Sequence, residues 1–346
     1  MMRTTSDSPG HDDGRRHWRR GGATIALLLA AVLSAAARQA QARSDVWIDV
    51  DTAMGPVIDR PRDVDDGLML IQALATPELR ITGVSAVFGN APLREAVAYT
   101  QSILDRFAPP GTIVHSGAAS GDDFRADTDA TRALTAALER QPLTILALGP
   151  VTTVATVVAL RPDLKPQIRE IVMVAARRPG FDFHPVDRPD LKFPDANFEK
   201  DVPAMQALLD SGLRLVFAGY EASSDVWLTR AHLHAVAASG PRGQWIRDIS
   251  QPWLERWERT LKLPGFNPFD TLAVGWVAHP AWFTAIAVQT HITSGPDDRV
   301  GQGPAAGRAT KAYLVCEPTD GASPHLYLTA TAPSFVPWLV ERLSAF

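Results

Sequence analysis

Short apolar runs alternate with amphipathic stretches along most of this chain, and that alternation restricts its fold more than any other property. VWIDV (46–50), RITGVSAVFG (80–89), TIVHSG (112–117), LTILALG (143–149), REIVMVA (169–175) and LRLVFAG (213–219) read as strands. Continuous hydrophobicity of this kind suits a strand covered on both faces. Between them, residues 66–77, 94–107, 130–141, 149–160 and 201–212 carry helical spacing. Parallel strands need long crossovers, and here each crossover reads as a helix. The order βαβαβαβαβ therefore predicts an α/β fold, a mainly parallel central sheet with helices on both faces. Further on, helices are expected over 229–239, 242–262, 269–280 and 334–345, and strands over 283–292 and 310–316. Residues 176–198 carry no periodicity and are rich in Pro, Asp and Phe. A loop of that length inside a compact domain usually carries function.

In such sheets ligands sit beyond the carboxyl ends of the strands. Asp49, Asp51, Asn90 and Thr152 all fall there. The first of these ends opens DVDTAMGPVIDRPRDVDD (49–66), with Asp49 and Asp51 on one side of a Gly/Pro-broken run, Asp63, Asp65 and Asp66 on the other, and Asp59 between. Like charges at this density need a cation, shared protons or full solvation. Two readings fit: a solvated acidic loop, or a metal site built from two segments. Acids opening a helix are also favourable at its N-terminus, which accounts for one or two of them. Oxygen donors suit a hard cation such as calcium, and no His/Cys cluster has the spacing of a structural zinc site.

The first 44 residues do not look like fold. Arg15, Arg16, Arg19 and Arg20 precede the apolar run ATIALLLAAVLSAAA (23–37), which is short for a membrane span, and Ala40-Gln41-Ala42 has a small-x-small pattern. This predicts a signal peptide over 1–42, a single domain over 45–346, and an exported, periplasmic or secreted product with no stable membrane association after cleavage. The alternative is an uncleaved anchor. The Arg pairs leave general and twin-arginine export both open. Removing residues 1–42 takes six arginines and three aspartates, leaving 28 basic against 35 acidic residues, a net of −7. That balance argues against a nucleic-acid partner. The single cysteine, Cys316, excludes an intramolecular disulfide.

Five blocks in chain order resemble the inosine-uridine nucleoside hydrolase family. IDVDTAMG…DVDDGLMLIQAL followed by GVSAVFGN is similar to the family's D-x-D-P-G-x-D-D-A and later G-N. LALGPVTTVA (146–155), EIVMVAA (170–176), PDANFEKDVPAMQALLDSG (194–212) and PFDTLAVGWVAHP (268–280) resemble its later motifs. The resemblance implies a Rossmann-like ribohydrolase using Ca2+, whose partner is a small-molecule nucleoside or riboside, and which forms homo-dimers or homo-tetramers. It implies that Asp51, Asp66, the Thr152 carbonyl and Asp270 ligate the metal. Asp51 is also the implied general base, acting on a water that attacks C1′ of ribose. Asp65 and Asn90 are implied at the ribose hydroxyls, Asn197 and Asp195 at the 3′ and 5′ side of the sugar, and Asp49 behind the metal ligands.

Three departures stand out. The P-G-x-D-D turn is expanded by residues 54–63, which bring in Arg60 and Arg62 to neutralise neighbouring aspartates or to meet an anionic substrate group. Phe269 replaces the histidine that, in the family, serves the leaving base. His184, Tyr220, Glu258 and Arg259 are the conceivable substitutes. The M-G-G strand end reads Val174-Ala175-Ala176. Trp245, Trp253 and Trp257 share one expected helix, either as core or as a wall that stacks on a base. Two other functions remain open. Asp49-Val50-Asp51-Thr52 also fits the D-x-D-x-T motif of haloacid-dehalogenase-like phosphatases, with Asp297-Asp298 as the later acidic pair. A chain lacking the histidine could also bind a nucleoside or sugar without cleaving it.

Overall fold

Strand β1 (Ser44–Val50) sets the pattern of the sheet. Successive side chains in a strand face opposite ways. Val46, Ile48 and Val50 accordingly join one apolar cluster and Trp47 the other. Both faces are covered, so the strand needs no polar face. The computed structural model describes residues 43–54, 61–185, 188–298 and 309–346. The expected signal segment, and Asp59 and Arg60 in the insertion, lie outside the described residues.

The other strands are β2 (Leu79–Ala86), β3 (Val114–Ser116), β4 (Leu143–Ala147), β5 (Ile168–Met173), β6 (Leu215–Phe217), β7 (Phe283–Pro296), β8 (Thr310–Pro318) and β9 (His325–Thr331). They form one sheet in the order β3-β2-β1-β4-β5-β6-β9-β7-β8. Strands β1 to β6 pair in parallel, β9 runs parallel to β6, and β7 is antiparallel to both β9 and β8. The strand order reverses at β1, where β2 lies on one side and β4 on the other. That switch point is where an open α/β sheet leaves a crevice.

The longer helices are α1 (Asp65–Leu74), α2 (Leu93–Phe107), α3 (Asp129–Arg140), α4 (Thr152–Leu160), α5 (Val202–Leu209), α6 (Arg230–Ala237), α7 (Pro241–Glu255), α8 (Thr271–Ala278) and α9 (Phe335–Leu343), with single turns at Ala196–Glu199 and Tyr220–Ser223. Helices α1, α2, α6, α7, α8 and α9 bury apolar residues in the cluster that holds Ile48, and α3, α4 and α5 bury theirs in the cluster that holds Trp47. The expected α/β sandwich is the one observed. Ser44–Phe346 forms one compact unit.

Two elements differ from expectation. The sequence reading assigns no strand to 325–331, yet β9 sits between β6 and β7. Its pairing with β6 joins residues more than a hundred positions apart, and a seven-residue run acquires strand character largely from such neighbours. The helix expected over 242–262 also divides. It continues past α7 as a wider π-helical turn, Arg256–Leu261, which Lys262 closes in the left-handed region at φ 60°. Wide turns of this kind recur at functional sites, and this one swings Trp257 and Leu261 onto a cavity.

Candidate active site

Residues just beyond the carboxyl ends of β2, β4 and β5 line a cavity of about 450 Å³. Asp51, immediately beyond β1, is fully buried. Its backbone N–H donates to Asp66 Oδ1 at 3.1 Å, tying the end of β1 to the start of α1. The first turn of α1 is held by acids. Asp66 N–H donates to Asp65 Oδ1 at 3.0 Å and Asp65 N–H to Asp63 Oδ1 at 3.3 Å. From the end of β2, Asn90 N–H donates to Asp51 Oδ2 at 2.9 Å, and its amide nitrogen lies 3.4 Å from Asp66 Oδ2. Oxygens of Asp65, Asp66 and Asp270 lie within 4.8 Å of one another, all three residues buried. Asp51 Oδ1 is buried without a hydrogen-bond partner.

This much buried negative charge is not stable unaided. Burial, then the charges of Asp270 and Asp51, push the Asp66 carboxyl well above the usual range. Burial, then Asp65 and Asp51, do the same to Asp270. Asp65 is pushed up to about 6, chiefly by burial. Asp49, behind Asp51, is pushed up to about 7 by burial, with Asp51 adding to it. Its Oδ1 accepts from Ser85 Oγ at 2.5 Å, and Ser85 Oγ in turn accepts from Trp47 Nε1 at 2.9 Å. Among the described residues the cation in contact with the group is Lys200, whose Nζ is 3.4 Å from Asp51 Oδ2. One ammonium facing several carboxylates leaves room for a further cation.

Two glycines let the strand ends close on Asp51. A Cβ on Gly89 would lie 1.7 Å from Asp51 Oδ2, and one on Gly149 would lie 2.9 Å from Asp51 Cβ. The G-N and L-G-P motifs thus share a steric reason, since only a bare backbone fits there.

On the far side, Asn197 donates through its amide nitrogen to the carbonyls of Leu148 (2.8 Å) and Val174 (3.1 Å), clamping the ends of β4 and β5. Asp195 Oδ2 accepts from Ala176 N–H at 2.9 Å, and burial pushes its carboxyl up to about 7. Ala176 holds φ at 73°, a conformation glycine adopts more easily, at the place where the family motif carries glycine. Asn90, Asp195, Asn197, Asp65 and Asp270 all line the cavity.

Other expected positions fall differently. The Thr152 carbonyl accepts from Thr156 Oγ1 at 2.7 Å in the first turn of α4, and Thr152 Oγ1 donates to Asp201 Oδ2 at 2.5 Å. As the first residue of α4, Thr152 also offers this carbonyl to the helix's own N–H four residues on, so both lone pairs have donors in this structure. Asp63 ends the insertion, outside the residues the resemblance implies at the metal or the sugar. It lines the cavity instead, because its carboxylate caps the N–H of Asp65. Arg62 neither neutralises the aspartates nor faces the cavity. It pairs with Glu95 at 2.5 Å and lies over the Tyr99 ring. Asp298, half of the acidic pair a phosphatase would need, is committed to Arg177 and Lys311.

Much of the remaining lining is aromatic: Phe183, Phe193, Tyr220, Trp253, Trp257 and Phe269 contribute to it. Trp257 is the hub, with Phe193, Trp227, Trp253 and Phe269 within 6.3 Å between ring centroids. Trp245 stays away, packed on Phe107 beneath Arg106. Sequence reasoning missed Lys200, whose one signal is its position three residues after Asn197 on the same short helical turn.

Residues 46–315 match the family of inosine-uridine preferring nucleoside hydrolases. The chain is 24% identical over 270 residues to a non-specific ribonucleoside hydrolase of Escherichia coli O127:H6, covering 69% of this chain and 85% of that protein. Among solved structures it is similar to a purine-preferring ribonucleoside hydrolase from Gardnerella vaginalis, with a TM-score of 0.70 and 19% identity over 87% of this chain and 98% of the other. A plant nucleoside hydrolase is similar to the same degree, with a TM-score of 0.70 and 18% identity over 88% of this chain and all of the other. At these identities the structures speak for the fold.

Proposed function

The chain belongs to the inosine-uridine preferring nucleoside hydrolase family, and from that premise we propose that it uses Ca2+ to hydrolyse the bond between ribose and base in ribonucleosides. The observation that carries the proposal is the convergence of buried carboxylates at a cavity whose remaining lining is largely aromatic. Oxygen-only donors, mutual repulsion, and a buried Asp51 oxygen with no partner fit a hard divalent cation. Asp66, Asp270, Asp51 and Asp65 would hold it, with the Thr152 carbonyl as the further ligand the resemblance implies. When bound, such a cation supplies charge that favours deprotonation of water.

The residues then divide the work. Asp51 is fixed through Oδ2 by Asn90 and Lys200, and its free Oδ1 takes a proton from the attacking water. The hydroxyl joins C1′ while the C1′–N bond breaks, and that bond's electron pair leaves with the base. Positive charge develops on the sugar, as in glycoside hydrolysis, and the carboxylates beneath it are already in place to stabilise it. Asp65, Asn90, Asp195 and Asn197 hold the ribose hydroxyls. Asp49 orients the end of β1. The aromatic wall stacks on the base. The N-terminal segment, by its sequence, directs this activity outside the cytoplasm.

Turnover of p-nitrophenyl riboside tests the reading, because its leaving group needs no acid. Turnover with calcium that Asp51→Ala abolishes supports hydrolysis. Tight nucleoside binding without turnover defeats it.

A further inference from the structure

The aromatic wall carries buried hydrogen-bond donors with nothing to meet: the Tyr220 hydroxyl and the indole N–H groups of Trp253 and Trp257. Native proteins keep few such groups, and each asks for a reason. Position singles out Tyr220. It begins the turn after β6, is 7% exposed, and lines the cavity. Its ring centroid is 5.8 Å from that of Phe269, the residue just before Asp270 and the one standing where the resemblance implies a histidine. The other conceivable substitutes are committed elsewhere. His184 Nδ1 lies 2.8 Å from the Pro185 carbonyl, Glu258 pairs with Arg230 at 2.5 Å, and Arg259 with Glu255 at 3.3 Å. None of the three lines the cavity.

We propose that the Tyr220 hydroxyl donates a hydrogen bond to the departing base and thereby selects ribosides whose leaving group is a planar ring with a nitrogen or carbonyl acceptor. The proposal rests on the ribohydrolase reading above. No proton passes from the phenol. The electron pair of the broken bond leaves with the base, Tyr220 stabilises the negative charge, and the base takes its proton from water afterwards. Burial pushes the phenol above its usual range, which keeps it a donor throughout the working pH. A bond that strengthens as charge develops lowers the barrier, not merely the binding constant. The neighbouring Trp257 supplies the stacking face.

The test compares wild type and Tyr220→Phe, with calcium, on inosine, uridine and p-nitrophenyl riboside. The expected result is a fall in kcat/KM of about tenfold or more on the better nucleoside, carried mainly by kcat, and a fall below about threefold on the nitrophenyl substrate. Equal losses on all substrates, or no loss on the nucleosides, overturn the proposal. A wild type that cleaves the nitrophenyl riboside but neither nucleoside also overturns it while leaving the hydrolase reading standing. A wild type inactive on every substrate defeats the hydrolase reading and the role of Tyr220 with it. Thermal melting reports whether Tyr220→Phe folds. Should it melt early, difluorotyrosine in place of Tyr220 gives the same test, since a stronger donor of nearly the same shape must raise nucleoside turnover. Unchanged turnover then overturns the proposal.

Discussion

The close approach of Gly89 to Asp51 makes Gly89→Ala the sharpest probe of the site. A Cβ there would lie 1.7 Å from Asp51 Oδ2, 2.5 Å from its Cγ and 2.7 Å from its Cβ, against 3.4 Å for ordinary contact. The carboxylate must therefore retreat by about 1.7 Å, or the end of β2 must move by as much. Neither is easy. Asp51 is fully buried, its Oδ2 accepts from Asn90 N–H at 2.9 Å, and its own N–H is held by Asp66. Overpacking a rigid site costs about 1–3 kcal/mol of stability. The functional loss is larger, since a displacement of about 1 Å in a catalytic group can cost on the order of 10²-fold in rate. Gly89→Ala is expected to stay folded, melt several degrees lower, lose at least about 10²-fold in kcat on p-nitrophenyl riboside, and bind less calcium by elemental analysis. Gly111→Ala is the control. It also sits at positive φ, 85°, but nothing lies within 4 Å, so it carries a backbone cost without touching the site. Wild-type kcat and calcium content in Gly89→Ala would refute the reasoning and show that Asp51 tolerates displacement.

Asp270→Ala removes one of the three converging carboxylates and is expected to lose bound calcium by elemental analysis; unchanged content would take that residue out of the site. Burial raises the Asp195 carboxyl to about 7 from its ordinary value of 3.8. Between those values the folded state holds a proton the unfolded chain has lost. Stability therefore falls as pH rises from about 4 to 7, by up to ~1.4 kcal/mol per pH unit, and Asp195→Asn should flatten that part of the profile in denaturant titrations. Asn197→Leu keeps the branched shape but leaves the Leu148 and Val174 carbonyls without their donor, and should destabilise the protein by about 2 kcal/mol by chemical denaturation.

The chemistry of the floor was readable because it sits at strand ends. Asp49 and Asp51 close an apolar run, Asn90 follows another, and the alternation of strands and helices places all such ends on one rim. The helix starting at Asp65 was readable for a similar reason, being a local pattern of period near 3.6. What stayed illegible depends on distant neighbours. Asp63 reads as part of an insertion, and only the cap it gives to Asp65 draws it into the cavity. Strand β9 takes its identity from β6 and β7. Lys200 reads as an ordinary surface lysine until α1, β1 and the turn after Asn197 meet.

By itself, then, the sequence determined the layer architecture and the rim on which the acids gather, because periodicity and strand-end position are local properties. The sheet order, with β2 and β4 flanking β1, decided that Asp51, Asp66 and Asn90 are hydrogen-bonded to one another and that Asp66 meets Asp65 and Asp270. The turn of the chain after β6 and the wide turn after α7 decided that Tyr220 and Trp257 face that volume. Those convergences arise from burial of apolar faces between segments far apart in the chain, and no window of sequence contains them.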